Sequence, residues 1–432
     1  MNQKKYTLTR VGKAGFERKL DEARFAINYQ QELNPSQYEA VSAVNGAYLI
    51  IAGAGTGKTR TLVYRVARLI ELGYDPNSIL LLTFTRKAAN EMLKRASVLL
   101  DDRCSKIRGG TFHSFANITL RKYSKAAGLD SNFTILDQGD SEDIINLIRS
   151  QEGLISKERR FPKKETLNKI YSLSANTERP IEQIIEEEYP HFLLELDVIL
   201  KVKRIFTDYK KRNSLLDYDD LLIYLRDFLQ SGNAASKNLL STINFLMVDE
   251  YQDTNKLQAD IVKGLAQHNG NVMVVGDDAQ SIYSFRGANF KNIMEFPKLF
   301  PNAEIIKIEE NYRSVQTILD FANHVYDGAI EKYTKVLYTK RQGGELPFIV
   351  AAANENMQSK YIVEKILEFL EEGVSLKDIA VLFRSSFFSF DLEIELAKAG
   401  IPFQKFGGIK FIEAAHVKDV LAFLRIAANP RD

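Results

Sequence analysis

A single cysteine, Cys104, is all the thiol that this 432-residue sequence contains, so neither an intrachain disulfide nor a cysteine-cluster metal site can form. Its five histidines are scattered, without the spacing of a helical metal pair. No apolar run approaches the roughly 18 residues of a membrane-spanning helix, and no signal-peptide core follows the basic start. A membrane protein is therefore not expected, and a reducing, cytoplasmic compartment fits best. Charge of one sign is also lacking. The net charge is only +2, so any nucleic-acid binding must come from a local groove and stacking. Tryptophan is absent, which excludes no function. The remainder is ordinary globular usage, 45% hydrophobic and 26% charged, in a chain long enough for about two to four domains.

Against that background two acidic strand ends stand out. The apolar run Phe245-Leu246-Met247-Val248 closes in Asp249-Glu250-Tyr251-Gln252-Asp253-Thr254. A second apolar run closes in Gly276-Asp277-Asp278-Ala279-Gln280, with Tyr283 and Phe285 just behind. Parallel-type strands that deliver carboxylates and a glutamine to one sheet edge describe a nucleotide hydrolysis site. The aromatic pair suggests something flat stacking nearby. Upstream, the buried-strand pattern Tyr48–Ile51 leads into Ala52-Gly53-Ala54-Gly55-Thr56-Gly57-Lys58-Thr59. The general phosphate-loop pattern wants Gly where Ala52 stands, but Gly53, Gly55 and Gly57 still let backbone N–H groups converge on phosphate oxygens. A helix starting near Lys58 adds its N-terminal partial positive charge. Lys58 is then the cation for the terminal phosphates of ATP, Thr59 and Asp249 the Mg²⁺ side chains, and Glu250 the base that orients water. The bland alternative is a glycine-rich turn plus a solvated acidic cluster. Both halves in the right order argue against it.

Strands separated by helical stretches predict an α/β fold with a doubly wound parallel sheet. Further strands are expected at Ile79–Phe84 and Ile107–His113. Residues 1–32 read as an N-terminal extension, helical from Ala14 to Gln31. Residues 33–116 and 203–302 form the first, ATP-binding domain, interrupted by a strand-poor helical insertion over 117–202. Residues 303–432 read as an incomplete second α/β domain, with strands at Ile305–Ile308, Phe348–Val350 and Ile379–Phe383.

The ordered set of motifs resembles the UvrD/Rep/PcrA group of superfamily-one DNA helicases. It runs from Leu33-Asn34-Pro35-Ser36-Gln37 through the loop at 52–59, Thr83-Phe84-Thr85-Arg86-Lys87 and Gly110-Thr111-Phe112-His113-Ser114. Asp217-Tyr218-Asp219-Asp220-Leu221 and the two acidic blocks follow, then Glu310-Asn311-Tyr312-Arg313-Ser314 and Val381-Leu382-Phe383-Arg384-Ser385. Gly407-Gly408 through Phe411, Lys418-Asp419 and Asn429-Pro430 complete it, so the match spans nearly the whole chain from Leu33.

The resemblance implies two RecA-like domains and an ATP-dependent, 3′-to-5′ single-stranded DNA translocase that unwinds duplex junctions in DNA repair or replication, with possible accessory repair proteins as partners. Gln37 and Tyr312 would hold adenine, with Arg60 beside the nucleotide. Gln280 would sense the γ-phosphate and Arg313 would act on it as an arginine finger. Phe84, His113, Tyr283 and Phe285 would contact single-stranded DNA. For Phe84 and Phe285 residue type alone favours core packing, but their places after strand ends favour the DNA reading. For Tyr312 the alternative is a core tyrosine, and for His113 a packing residue at a helix start. Some features depart from the family pattern. The later motifs are absent, and so is the helical domain usually inserted in the second half; His416 stands where Glu is usual. The chain is therefore expected to be a fragment. Two alternatives to the motor stay open: an ATP-gated single-stranded DNA-binding module with poor turnover, and the motor half of a helicase–nuclease.

Overall fold

Strand residues of the main sheet alternate between two separate cores. Leu49, Ile51, Leu80, Leu82, Leu246, Val248, Val272 and Val274 pack on one face. Tyr48, Ile50, Ile79, Leu81, Phe245, Met247, Met273 and Val275 pack on the other. Side chains of a strand point alternately up and down, so strands that are apolar throughout need cover on both faces. The computed structural model, which describes residues 25–155, 161–282, 289–406 and 415–428, meets that demand with helices on either side.

The strands are β1 (Ala47–Ala52), β2 (Ile79–Thr83), β3 (Arg108–Thr111), β4 (Thr134–Ile135), β5 (Leu215–Leu216), β6 (Phe245–Val248), β7 (Val272–Gly276) and β8 (Glu304–Ile308). Six of them form one sheet in the order β3-β2-β6-β7-β1-β8, and every pairing is parallel. Parallel neighbours need long crossovers. The helices Lys58–Glu71, Arg86–Leu99, Lys256–Ala266 and Lys291–Leu299 supply them. Because β1, β7 and β6 are adjacent, the loops leaving their carboxyl ends converge at one edge. The α/β, doubly wound reading holds.

The chain leaves the sheet domain at β4 and returns at β5, which pair in parallel as a two-residue ladder too short to read from sequence. The helices Gln138–Gln151, Lys164–Thr177, Ile181–Glu188 and Leu196–Arg212 lie between. They enclose a core of their own that includes Ile145, Ile170, Ile184, Ile199 and Phe206. The expected boundary at 202/203 falls inside the last of these helices, whose Phe206 still packs within the insertion.

Two compact units divide at Gly343/Gly344. Here the structure differs from the expected start of a second domain at 303. β8 pairs with β1 and completes the first sheet, because Ile306 and Ile308 are buried in the core beneath β1. In the second unit the helices Glu355–Glu371 and Phe390–Lys398 share a small core of Val363, Ile366, Leu392, Leu396 and Ile401. The segments expected as strands at 348–350 and 379–383 form no strand and have no ladder partner among the described residues, and Phe348, Ile349 and Leu382 are exposed. An apolar alternation makes a strand only where a neighbour can take its backbone hydrogen bonds. The expected N-terminal helix lies mostly outside the described residues. Its described end is the single turn Tyr29–Glu32, started at Asn28, whose side chain accepts from Gln31 N at 3.3 Å. No helix among the described residues is long and apolar enough to cross a membrane.

Candidate active site

The loop after β1 makes its turns at Gly55 (φ 77°) and Gly57 (φ 90°), in the left-handed region that favours glycine. A Cβ on Gly55 would lie 2.7 Å from Arg313 Cβ, and one on Gly57 would lie 2.7 Å from Gln37 Nε2. The backbone is therefore closely surrounded as well as sharply turned. Gly57 is the N-cap of the helix Lys58–Glu71 and makes no side-chain cap bond. The first N–H groups of that helix are thus left to an anion, as a phosphate cradle requires. Gly53, Thr56 and Ala52 complete the turn: Thr56 Oγ1 donates to Gly53 O at 2.8 Å, and Ala52 ends the buried strand.

Glu250 follows β6 with φ 50° and reaches across to Lys58, whose Nζ lies 2.6 Å from Glu250 Oε2. Gln252 Nε2 donates to the same oxygen at 2.8 Å. Asp249 and Asp253 are buried beside this pair, and Oδ1 of each has no hydrogen-bond partner among the described residues. Burial first, then the charge of Glu250, raises the Asp249 carboxyl to about 7 against the pull of Lys58. The same causes raise Asp253 to about 6. One ammonium thus faces three carboxylates, an imbalance that a divalent cation would offset. The half-buried Thr59, next to Lys58, adds a hydroxyl side chain to the first turn of that helix. The residues present fit Mg²⁺ with a polyphosphate.

Gln280 follows β7, and its Nε2 donates to Asp277 Oδ2 at 2.5 Å. Asp277 N donates to Gln252 Oε1 at 2.9 Å, so Gln252 ties the two acidic strand ends together. A Cβ on Gly276 would lie 2.7 Å from Gln252 Oε1, so the bridge occupies space that a side chain at 276 would take.

The segment Asn311–Ser314 is seated on the phosphate loop. Tyr312 N donates to Gly55 O at 2.9 Å, and Asn311 Nδ2 donates to Ala54 O at 2.5 Å. Asn311 Oδ1 in turn accepts from Arg313 N and Ser314 N. Arg313 itself is exposed. Tyr312, 48% exposed, accepts from Asn34 Nδ2 at 2.9 Å, so it is no core tyrosine. Gln37 is 2% exposed; its amide caps Asn34 N at 3.2 Å and donates to Thr56 O at 2.9 Å. It braces the loop from behind, and an adenine contact would use its remaining hydrogen and lone pair. Arg60 donates to Glu32 O and Oε2 at 2.8 and 2.9 Å, so in this structure it faces the N-terminal turn.

Of the residues expected at DNA, Phe84 is half-buried directly after β2. His113 stands in the first turn of the helix Phe112–Lys122, edge-on to Tyr218 at 5.7 Å between ring centroids. Tyr283 and Phe285 lie outside the described residues. Burial lowers the His113 imidazole to about 4, which keeps it neutral. The unfolded chain therefore binds more protons between pH 6.5 and 4, and stability is lost as pH falls through that window. On acidification from pH 7 to 4, His113→Asn should lose less stability than the wild type by roughly 1–3 kcal/mol. Denaturant unfolding at several pH values checks this, and parallel curves would refute it.

Sequence reasoning passed over Gln252, Asn311 and Asp253. Gln252 and Asp253 sit in the first acidic block and Asn311 beside Tyr312, so only their partners were hidden.

Residues 33–301 match the family model of the UvrD/REP helicase N-terminal domain, and residues 306–432 match that of the UvrD-like helicase C-terminal domain. The chain is 35% identical over 404 residues to a protein named ATP-dependent DNA helicase PcrA from Staphylococcus aureus, covering 93% of this chain and 54% of that one. The protein of the same name from Staphylococcus epidermidis is 35% identical over 406 residues, with the same coverage. The chain thus spans about half the length of these relatives.

Proposed function

The chain belongs to the UvrD/Rep helicase family, and from that membership we propose that it is an ATP-hydrolysing motor segment of a DNA helicase, acting on single-stranded DNA next to duplex junctions. The observation that carries the reading is the convergence of Lys58, Asp249 and Glu250 beside an uncapped helix N-terminus at the carboxyl ends of β1 and β6. Lys58 neutralises the terminal phosphates. Glu250 accepts a proton from the attacking water once a phosphate draws Lys58 away from it. Thr59 and Asp249 would hold Mg²⁺, which, when bound, supplies charge neutralisation at the phosphates. Gln280 orients toward the γ-phosphate, and Arg313, carried on the segment that rides the loop, reaches the same charge. Gln37, Tyr312 and, after release from Glu32, Arg60 frame the base.

On the DNA side, Phe84 and His113, which follow β2 and β3, would offer aromatic rings to bases, and Tyr283 and Phe285 would add two more. Aromatic faces stack on bases without regard to sequence, at roughly 1–3 kcal/mol per base. Movement 3′ to 5′, a role in repair or replication, a cytoplasmic location and accessory repair partners belong to the same proposal, supported by the family likeness.

The test is ATP hydrolysis by the purified chain with and without oligo(dT), alongside strand displacement from a 3′-tailed duplex. Hydrolysis that rises with oligo(dT) is expected. Failure to bind Mg·ATP would remove the ATPase reading. Hydrolysis indifferent to DNA would leave a nucleotidase and remove the motor.

A further inference from the structure

Lys335 is a buried lysine that pairs with the carboxylates at the strand end after β7. Its Nζ pairs with Asp277 Oδ1 and, at 2.5 Å, with Asp278 Oδ1. The three side chains are 3%, 3% and 2% exposed. Two adjacent buried carboxylates would repel one another without a cation, and a buried ammonium alone would be at least as unfavourable. Asp278 is held further by the Tyr326 hydroxyl and by Tyr333 N at 2.8 Å. Burial alone would raise its carboxyl, but these bonds outweigh that and keep it below its ordinary range.

The other bonds of Asp277 among the described residues run to the turn that carries Gln280 and to Gln252. Its Oδ2 accepts from Gln280 Nε2 and its Oδ1 from Ala279 N at 3.1 Å. Its backbone N–H donates to Gln252, which donates in turn to Glu250. The strap that carries Lys335 also touches the phosphate loop. Asn323 brackets Leu337 N and O at 3.0 and 2.9 Å, and the Leu337 side chain fills the space where a Cβ on Gly53 would stand. Arg341 Nη1 donates to Tyr312 O and Arg313 O at 3.2 and 2.8 Å. The matched C-terminal family segment begins at 306, yet this strap is part of the first compact unit.

We propose that Lys335 is a positioning residue for hydrolysis: by pinning Asp277 it aims Gln280 at the terminal phosphate and steadies Gln252 behind Glu250. The proposal rests on the ATPase reading above. A salt bridge that only stabilised the fold would not single out Gln280, and this separates the two roles.

The experiment compares wild type, Lys335→Met, Lys335→Arg, Gln280→Ala and the Lys335→Met/Gln280→Ala double variant in the full 432-residue chain. It measures oligo(dT)-stimulated hydrolysis over a range of ATP concentrations and amide hydrogen exchange at Ala279 and Gln280. Lys335→Met should lower kcat roughly 10²-fold, the scale of a misplacement of about 1 Å, with KM for ATP changed less than about 3-fold. Lys335→Arg should recover most of the loss, since a cation is what the two carboxylates need. Added to Gln280→Ala, Lys335→Met should cost little more, because both act through one group. Exchange at Ala279 and Gln280 should quicken in Lys335→Met. Wild-type kcat in that variant, or losses that multiply with Gln280→Ala, would overturn the proposal. If Lys335→Met does not fold, the Lys335→Met/Asp278→Asn pair, which leaves one carboxylate to bury, takes its place. If the wild type itself does not hydrolyse ATP, the functional reading has failed, and the exchange rates alone decide for or against Lys335.

Discussion

Replacing Glu250 by Gln is expected to lower DNA-stimulated kcat by roughly 10²–10⁴-fold, the range for loss of a positioned base, while Mg·ATP binds at least as tightly as before. The first half follows from chemistry. An amide keeps the shape of the carboxylate and cannot take the proton from water. The second half follows from the structure. Glu250 holds the Lys58 ammonium at 2.6 Å, and a phosphate must draw that ammonium away. Removing the charge of Glu250 removes the competitor. It also relieves Asp249 and Asp253, both raised in part by Glu250. Equilibrium binding of a fluorescent ATP analogue, with single-turnover hydrolysis beside it, separates the two effects. Nucleotide affinity that falls in step with turnover would make Glu250 a structural partner of Lys58 and not the base.

How much of this was legible in the sequence depended on the range of the interaction. The phosphate loop is a local pattern: three glycines and a lysine within the stretch 53–58, at the start of a helix. Its geometry follows from φ angles and helix ends that neighbours alone dictate. The paired acidic strand ends were legible for the same reason, since an apolar run followed by carboxylates marks a buried strand meeting a polar edge. What joins these pieces was not legible. Gln252 gains meaning only when β6 and β7 lie side by side, and Lys335 only when the chain returns more than fifty residues later to Asp277 and Asp278. Strand pairing set a similar limit. Glu304–Ile308 and Ile379–Phe383 have comparable apolar character, yet the first found β1 as a partner and the second has no ladder partner among the described residues. Periodicity reports what a segment could bury. It does not report which edge is available.

Lys58→Ala should have the larger effect on binding. It removes the cation that meets the terminal phosphates, a loss on the order of 10³-fold or more in turnover by analogy with other charge clamps on a transferring phosphoryl group. The structure adds a second consequence. Without Lys58 the carboxylates of Asp249, Glu250 and Asp253 share one partly buried site with no ammonium among them. Asp249 and Asp253, already raised, should then hold their protons to still higher pH. A carboxyl raised in the fold contributes stability that is complete below its unfolded value and is lost as pH rises through its folded value. The variant should therefore lose more stability than the wild type between pH 6 and 8, and adding Glu250→Gln should return part of that loss while returning none of the Mg·ATP affinity. That split is the informative outcome. Stability and Mg·ATP affinity restored together would mean that Lys58 serves mainly to neutralise Glu250. Stability restored with Mg·ATP affinity still lost places the ammonium on the phosphates, because only there does its charge act on something that the second substitution cannot replace.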